Sequence, residues 1–83
     1  MRGAEIVSGG HAVRTLLTRE IAERRLRAFF EDHSYIYRSQ MESLCECSEY
    51  LATKYLNLFV EEGRLRALGR KNGRFYAPAP EGF

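Results

Sequence analysis

Proline and cysteine are scarce in this sequence, and it contains no long apolar run. Two prolines occur among 83 residues, 45% of the chain is apolar and 29% is charged, a composition typical of one soluble globular domain. The length is too short for two domains and excludes most enzymes that need a separate cofactor domain. A chain of this size buries only a little over ~60% of the surface that its unfolded form exposes, so we expect a compact core.

Cysteine is also rare, and its placement argues against a disulfide framework. Cys45 and Cys47 lie one residue apart without a secretory signature, which favours reduced thiols in a reducing compartment. The C-x-C spacing lacks the paired C-x2-C arrangement of structural zinc sites, and both His11 and His33 are isolated in the sequence. We therefore predict no metal site, and we expect both cysteines to act as small buried hydrophobes.

Long apolar runs and an export signal are missing. No segment approaches the ~18 consecutive apolar residues that a membrane span needs. The N-terminus carries Glu5 where a signal peptide would continue with apolar residues. We expect no membrane association and a cytoplasmic location.

Catalytic motifs are absent as well. Gly9-Gly10 is not followed by the Lys-Ser/Thr pair of a phosphate-binding loop, and no serine or cysteine lies in a nucleophile motif. The sequence therefore predicts a protein that is not an enzyme and needs no cofactor. At this size we also expect no pocket for a small-molecule effector.

Positive charge, in contrast, is present and concentrated. The formal net charge of +2 divides at Gly63: residues 1–63 carry a net charge of −2, whereas residues 64–83 carry +4. The five basic residues of the second part fall within eleven positions that contain no acidic residue; they are Arg64, Arg66, Arg70, Lys71 and Arg74. This local excess of positive charge is the clearest functional signal in the sequence.

The first half of the chain predicts one helix and one short strand. Residues 1–10 show no sustained period, and the apolar pairs Ala12-Val13 and Leu16-Leu17 are compatible with either a short strand or an extra helical turn. Together, residues 1–17 are expected to form a partly flexible lead-in. Thr18 is a suitable N-cap for a helix ending near His33, with an apolar face of Ala22, Leu26, Phe29 and Phe30 and a solvated face of Glu23, Arg24, Arg27 and Glu31. The β-prone residues 35–37 are long enough for one short edge strand.

Two closely spaced helices follow. Ser39 and Glu42 match the capping box S-x-x-E, so we expect a short second helix to begin there. Ser48 predicts the cap of a third helix over 49–62, with Gly63 as its left-handed terminator. The apolar faces consist of Met41, Leu44 and Cys45 in the second helix, and of Ala52, Tyr55, Leu56, Phe59 and Val60 in the third.

A β-hairpin is predicted after the third helix. Residues 64–68 alternate basic and apolar side chains, and Asn72-Gly73 separates them from the β-prone residues 74–77. An Asn-Gly pair between two such runs is a strong hairpin signal. Pro78 and Pro80 are expected to end the ladder.

The order of helix, short strand, helix, turn, helix and hairpin over 18–78 resembles the winged-helix family of DNA-binding domains. The most specific part is Ala52-x3-Leu56-x2-Phe59-x3-Gly63-x-Leu65 followed by the basic hairpin, which resembles the junction of recognition helix and wing in prokaryotic transcriptional regulators. The resemblance implies an α+β fold with a three-helix core and a C-terminal two-stranded wing. It also implies a homodimeric transcriptional regulator, with the helix 49–62 in the major groove of double-stranded DNA and the hairpin 64–76 on the backbone or in the minor groove.

The sequence departs from the family pattern at two positions. Glu46 stands where the turn between the second and third helices usually has glycine, and Glu42 stands where alanine is common. A glutamate with positive φ destabilises the folded state by ~1 kcal/mol or more. The sequence therefore leaves open a turn that is longer or differently shaped than the usual one.

The candidate DNA contacts follow from side-chain chemistry. On the third helix, Asn57 can pair with adenine, Lys54 can reach guanine or phosphate, and Thr53 and Tyr50 can donate or pack on a thymine methyl group. The basic hairpin residues can neutralise phosphates, and serines at helix N-termini can bind them. The full predicted set is Tyr50, Thr53, Lys54, Asn57, Arg64, Arg66, Arg70, Lys71, Arg74, Ser39 and Ser48.

A second hypothesis keeps the same fold with a different partner. A winged-helix module can bind protein through apolar and tyrosine surface, as an assembly element without sequence-specific DNA binding. The basic hairpin discriminates between the two hypotheses, because a protein-binding module has no need of five basic residues without an intervening acid. We divide the chain into a lead-in 1–17, the domain 18–78 and a tail 79–83.

Overall fold

The computed structural model describes residues 17–83, so nearly all of the predicted lead-in lies outside the described residues. Three α-helices precede a two-stranded antiparallel sheet, which confirms the α+β class and the predicted order of three helices and a hairpin. The helices are α1 (Arg19–Phe29), α2 (Arg38–Cys45) and α3 (Glu49–Glu61), and the strands are β1 (Leu65–Leu68) and β2 (Phe75–Pro78). Over residues 17–83, no helix combines the length and the apolar character needed to cross a membrane.

Helix α1 begins as predicted but ends earlier. The Thr18 side chain accepts a hydrogen bond from the Ile21 backbone N–H at 3.2 Å, which confirms its role as N-cap. The helix ends at Phe29 instead of near His33, because the backbone N–H groups of Glu31 and Asp32 bond three residues back and tighten the chain into a turn. The His33 ring stacks on the Phe29 ring, with 4.0 Å between centroids, and its Nδ1 lies 3.0 Å from the Phe29 carbonyl oxygen.

Helix α2 begins one residue before the predicted capping serine. Tyr37 is the N-cap, and its backbone N–H donates to the Gln40 side-chain oxygen at 2.8 Å. Ser39 is therefore the second residue of the helix, and the prediction that it caps α2 together with Glu42 is wrong. The N-cap is Tyr37, two residues before Ser39. Gln40 therefore makes the reciprocal bond that the predicted capping box assigns to Glu42.

The turn between α2 and α3 retains a short form in spite of Glu46. Glu46 has φ 53° and ψ 51°, the left-handed conformation that glycine adopts most readily. Its backbone N–H and that of Cys47 both donate to the Glu42 carbonyl oxygen, the latter at 3.0 Å, and Ser48 then caps α3. The chain thus takes the left-handed conformation at Glu46 and does not use the longer turn that the sequence left open.

Replacing Glu46 with glycine should stabilise the protein. Glycine removes the steric cost of the left-handed conformation, and part of that gain is offset by the greater freedom of glycine in the unfolded chain. We expect the free energy of unfolding to rise by up to about 1 kcal/mol, measured by urea denaturation followed by circular dichroism. The matched control is Glu31→Gly, at an exposed turn residue without positive φ, which should lower it by up to about 1 kcal/mol. A loss of stability in both variants would contradict the strain at Glu46.

The core lies between the three helices and the inner face of the sheet. Each helix and each strand contributes at least one buried side chain, and α3 contributes the large ring of Phe59. The apolar faces predicted for α2 and α3 are confirmed, with Tyr55, Val60 and Leu44 partly buried at the edge. The buried residues are Ala22, Leu26, Ile36, Met41, Cys45, Ala52, Leu56, Phe59, Leu65 and Tyr76. Gly63 has φ 79° just after α3, as predicted.

The hairpin forms with a longer tip than a two-residue Asn-Gly turn. Leu65 pairs with Pro78 and Leu68 with Phe75, so residues 69–74 form the tip, and Lys71–Gly73 make one 3-10 turn within it. Gly69 has φ 77°, and a Cβ there would overlap the Gly73 carbonyl oxygen. Gly69 is therefore required for the tip to close.

The predicted strand at 35–37 is reduced to a single bridge. Ile36 and Tyr76 exchange both backbone hydrogen bonds, at 2.8 and 2.9 Å, and both side chains are buried. This bridge places the Tyr35–Tyr37 segment beside β2, on the edge away from β1. The linker before α2 is thereby fixed to the sheet.

The last residues fold back onto the domain instead of forming a separate tail. The Phe83 ring lies 5.7 Å from the Phe59 ring and 5.9 Å from the Phe30 ring, centroid to centroid. Gly82 is buried, and a Cβ there would overlap the Arg64 carbonyl oxygen. The packed region therefore continues beyond Pro78, where we had placed the end of the domain.

Candidate nucleic-acid interface

The outward face of α3 carries four of the predicted contact residues. Tyr50, Lys54 and Asn57 are exposed and Thr53 is half-buried, because positions 50, 53, 54 and 57 share a side of the helix. Tyr50 is 73% exposed, the highest value among the large apolar side chains of residues 17–83. Lys54 Nζ lies 5.7 Å from the centroid of the Tyr55 ring. The helix thus presents donors, an acceptor and an aromatic ring to its surroundings.

A cleft of about 410 Å³ lies between the start of α2, the middle of α3 and the hairpin tip. It brings together Ser39, Thr53, Lys71 and Arg74 from the predicted set, which come from three different elements. No carboxylate lines it, whereas three cationic side chains do. The lining residues are Tyr37, Arg38, Ser39, Thr53, Lys71, Asn72, Arg74 and Tyr76.

The hairpin tip positions Lys71 and Arg74 at this cleft. The Gly73 N–H donates to the Arg70 carbonyl oxygen at 2.6 Å, and the Arg74 N–H donates to the Lys71 carbonyl oxygen at 3.1 Å. Lys71 itself has φ 36°, so the backbone turns sharply there. Arg70, Lys71 and Arg74 are exposed, and within residues 17–83 none of them pairs with a carboxylate. Their charge is therefore available to an anionic partner.

Arg38 lines the same cleft and was missed in the sequence. Its guanidinium contacts the Glu42 carboxylate at 3.3 Å and the Glu49 carboxylate at 3.0 Å, joining α2 to the first turn of α3. Such exposed pairs contribute little to stability, but they hold the side chain beside the cleft. The spacing of Arg38 and Glu42 by four residues was the signal that could have identified the first of these pairs.

The two serines differ in their surroundings. Ser39 lies in the cleft at the first turn of α2, and it is exposed. Ser48 accepts a hydrogen bond from the Leu51 backbone N–H at 3.1 Å and is the N-cap of α3, as predicted. Ser48 does not line the cleft. Its hydroxyl hydrogen can still donate to an anion.

Arg64 contacts α1 and the C-terminus and does not line the cleft. Its guanidinium donates to the Glu23 carboxylate at 2.8 Å and to the Gly82 carbonyl oxygen at 2.9 Å, and its Cζ lies 4.8 Å from the centroid of the Phe83 ring. Its side chain is only 22% exposed. Arg64 thus ties α1, the start of the hairpin and the C-terminus together, and we leave it out of the proposed DNA contacts.

Glu23 is the centre of this ion-pair network and does not belong to a solvated face as predicted. The hydrogen bond from Arg64, and a second from Arg27 at 2.8 Å, hold the pKa of its carboxyl at about 2. A hydrogen bond from Arg19 likewise lowers the pKa of Glu62 and raises that of Arg19. The spacing of four residues between Glu23 and Arg27 was readable in the sequence, whereas the pairing of Glu23 with the distant Arg64 was not.

Acid should weaken the fold through Glu23. A carboxyl whose pKa falls from 4.5 to about 2 on folding stabilises the native state above pH ~4.5, and this contribution is lost as the pH falls toward 2. Glu23→Gln should lower the free energy of unfolding at pH 7 and flatten its decline between pH 4.5 and 2. The measurement is urea denaturation across that pH range. In an Arg64→Met background, Glu23→Gln should have a smaller effect at pH 7, and an equal effect would contradict the pairing.

The cysteines lie in and beside the core. Cys45 is buried with its Sγ 3.9 Å from the Met41 Sδ, and burial raises the pKa of its thiol to about 11. Cys47 is half-buried, and burial raises its pKa as well. Both are free thiols. Among residues 17–83, no group of three or more potential metal ligands is found.

No protein-family model matches the chain significantly, and no curated protein or solved structure matches it significantly either. A function for this chain is therefore inferred from the geometry and charge of the interface.

Proposed function

We propose that this protein is a winged-helix DNA-binding protein that regulates transcription. In this proposal, α3 lies in the major groove of double-stranded DNA, and the hairpin of β1 and β2 is the wing that contacts the backbone or the minor groove. The observation that carries the proposal is the cleft between α2, α3 and the hairpin tip, which gathers cationic and hydroxyl side chains without a carboxylate.

The chemistry of the cleft fits the phosphate backbone. Lys71 and Arg74 carry charge without a carboxylate partner among the described residues, and Ser39 and Thr53 supply hydroxyl donors. Charged and hydroxyl side chains of this kind make most protein contacts to DNA phosphates. Affinity then arises from release of the counterions condensed on the duplex. We propose that one strand of the backbone lies across this cleft.

The position of α3 fits a reading element. Its inner face is held in the core by Ala52, Leu56 and Phe59, so the outer face with Lys54 and Asn57 is presented on a rigid support. Asn57 can bond the N6 and N7 positions of adenine, and Lys54 can donate to guanine. Because α3 borders the cleft through Thr53, phosphate contacts at the cleft would place the same helix against base edges.

The test is the affinity of the full chain for labelled duplex DNA at a series of salt concentrations. We expect binding that weakens as salt rises, with a logarithmic slope of about −0.9 for each phosphate neutralised. Selection from random duplexes should then yield a preferred sequence. Absence of binding at low salt would overturn the proposal. Binding without any sequence preference would leave a non-specific DNA-binding protein and overturn the regulatory role.

A further inference from the structure

The outer face of the small sheet carries a cluster of aromatic rings. Side chains alternate across a sheet, so the buried pair Ile36 and Tyr76 places Tyr35, Tyr37 and Phe75 on the opposite, outer face. The ring centroids of Tyr35 and Tyr37 lie 5.6 Å apart, and those of Phe75 lie 5.3 Å from Tyr35 and 5.9 Å from Tyr37. Tyr35 is 47% exposed and Tyr37 is 40% exposed. Three mutually contacting rings therefore reach the surface together.

Positive charge flanks this cluster on two sides. Arg66 is exposed on β1 and lies opposite Ala77, on the same outer face as Phe75. Tyr37 also lines the basic cleft with Lys71 and Arg74, so one ring belongs to both the cluster and the cleft. Within residues 17–83, Arg66, Lys71 and Arg74 form no ion pair. An aromatic surface is thus continuous with three cations that form no ion pair among the described residues.

We propose that the cluster of Tyr35, Tyr37 and Phe75 is a stacking site for unpaired bases of single-stranded nucleic acid. Single strands present aromatic faces and phosphates in alternation, and proteins that bind them combine stacking rings with a basic groove. In this chain the bases would stack on the rings while the phosphates lie on Arg66 and on the cations of the cleft. Phosphate binding by the cations of the cleft is common to this site and to the proposed function, and the stacking site rests on the proposed function in that respect alone.

The cations beside the ring cluster favour single-stranded nucleic acid over a protein surface as the partner. An apolar protein surface needs only the rings for binding, and an acidic protein surface needs only the cations. A base in a closed duplex offers its face to neighbouring bases, so stacking on a protein ring requires an unpaired base. The combination of three rings with cations on both sides is complementary to an unpaired strand.

The test uses a short single strand carrying the fluorescent base 2-aminopurine, with the same sequence as a blunt duplex for comparison. Stacking on an aromatic ring should quench the fluorescence of the single strand on binding. The double variant Tyr35→Leu with Phe75→Leu should lose most of this quenching and bind the single strand about tenfold more weakly. Because neither side chain lines the cleft, its affinity for the blunt duplex should stay within twofold, about the limit of such a comparison. The conservative variant Tyr35→Phe with Phe75→Tyr should retain quenching.

His33→Leu is the matched control, because it removes an exposed aromatic ring that belongs neither to the cluster nor to the cleft. It should leave quenching of the single strand unchanged. Circular dichroism of every variant checks that the fold is retained. Quenching that persists in the double leucine variant would overturn the stacking site, as would a change in self-association by sedimentation, which would assign the rings to a second copy of the chain. Failure of duplex binding with intact quenching would instead overturn only the proposed function.

Discussion

The double variant Lys71→Ala with Arg74→Ala is expected to bind duplex DNA at least about a hundredfold more weakly than the wild type at low salt. Each charge-assisted contact to a phosphate is worth about 1.5–3 kcal/mol, and 1.4 kcal/mol corresponds to a tenfold change. The logarithmic salt slope should fall in magnitude by about 2, since two phosphates are no longer neutralised. Titration of labelled duplex at several salt concentrations measures both quantities.

The control for this variant removes the same charge elsewhere. Arg24 and Arg25 are exposed on α1 and do not line the cleft. Arg24→Ala with Arg25→Ala should therefore keep the wild-type salt slope. If the two double variants lose affinity equally, the effect is one of net charge and the cleft has no special role.

Asn57→Ala separates reading of sequence from binding of the backbone. Because Asn57 is exposed on α3 and does not line the cleft, its loss should leave the salt slope unchanged. The preference at one base pair should weaken by about 1–3 kcal/mol. Unchanged preference on a set of duplexes differing at single positions would exclude Asn57 from the reading surface.

Phe59→Ala is expected to have the largest effect on stability. The Phe59 ring is fully buried, contacts Phe83, and lies under the guanidinium groups of Arg19 and Arg64 at 5.7 and 6.0 Å from its centroid. Truncating a buried phenylalanine costs about 3–5 kcal/mol, whereas a domain of this size is stabilised by roughly 4–12 kcal/mol in total. Urea denaturation should show a variant that is largely unfolded or close to it.

Tyr50→Ala on the same helix is the matched comparison. Its ring is mostly exposed, so its loss should change the free energy of unfolding by no more than about 0.5 kcal/mol. Similar losses at positions 50 and 59 would mean that helix propensity, and not the core, decides the stability of α3. Phe59→Leu should lie between the two, because it retains most of the apolar volume.

Local patterns in the sequence were sufficient for most of the fold. Thr18 and Ser48 cap helices because each needs only a backbone N–H three residues ahead, and this is a local property. The apolar face of α3 follows from the helical spacing of its apolar residues, and the helix end at Gly63 follows from the ease with which glycine adopts positive φ. Both are local properties as well. The start of α2 was misplaced because Gln40, and not Glu42, bonds back to the helix N-terminus. Two nearby polar residues competed for one role, and the sequence does not rank them.

The chemical character of the candidate site was predictable from the sequence, but which of its residues lie together in space was not. The charge at Arg66, Arg70, Lys71 and Arg74 and the polar face of α3 were readable, because each is a property of one segment. The sequence alone thus determined the order of elements and the basic hairpin. Only the tertiary structure decided that Arg64 pairs with Glu23, that Phe83 closes the core and that Tyr37 joins the basic cleft to an aromatic cluster. Those contacts join residues far apart in the chain, and whether they form depends on how the helices and the sheet pack.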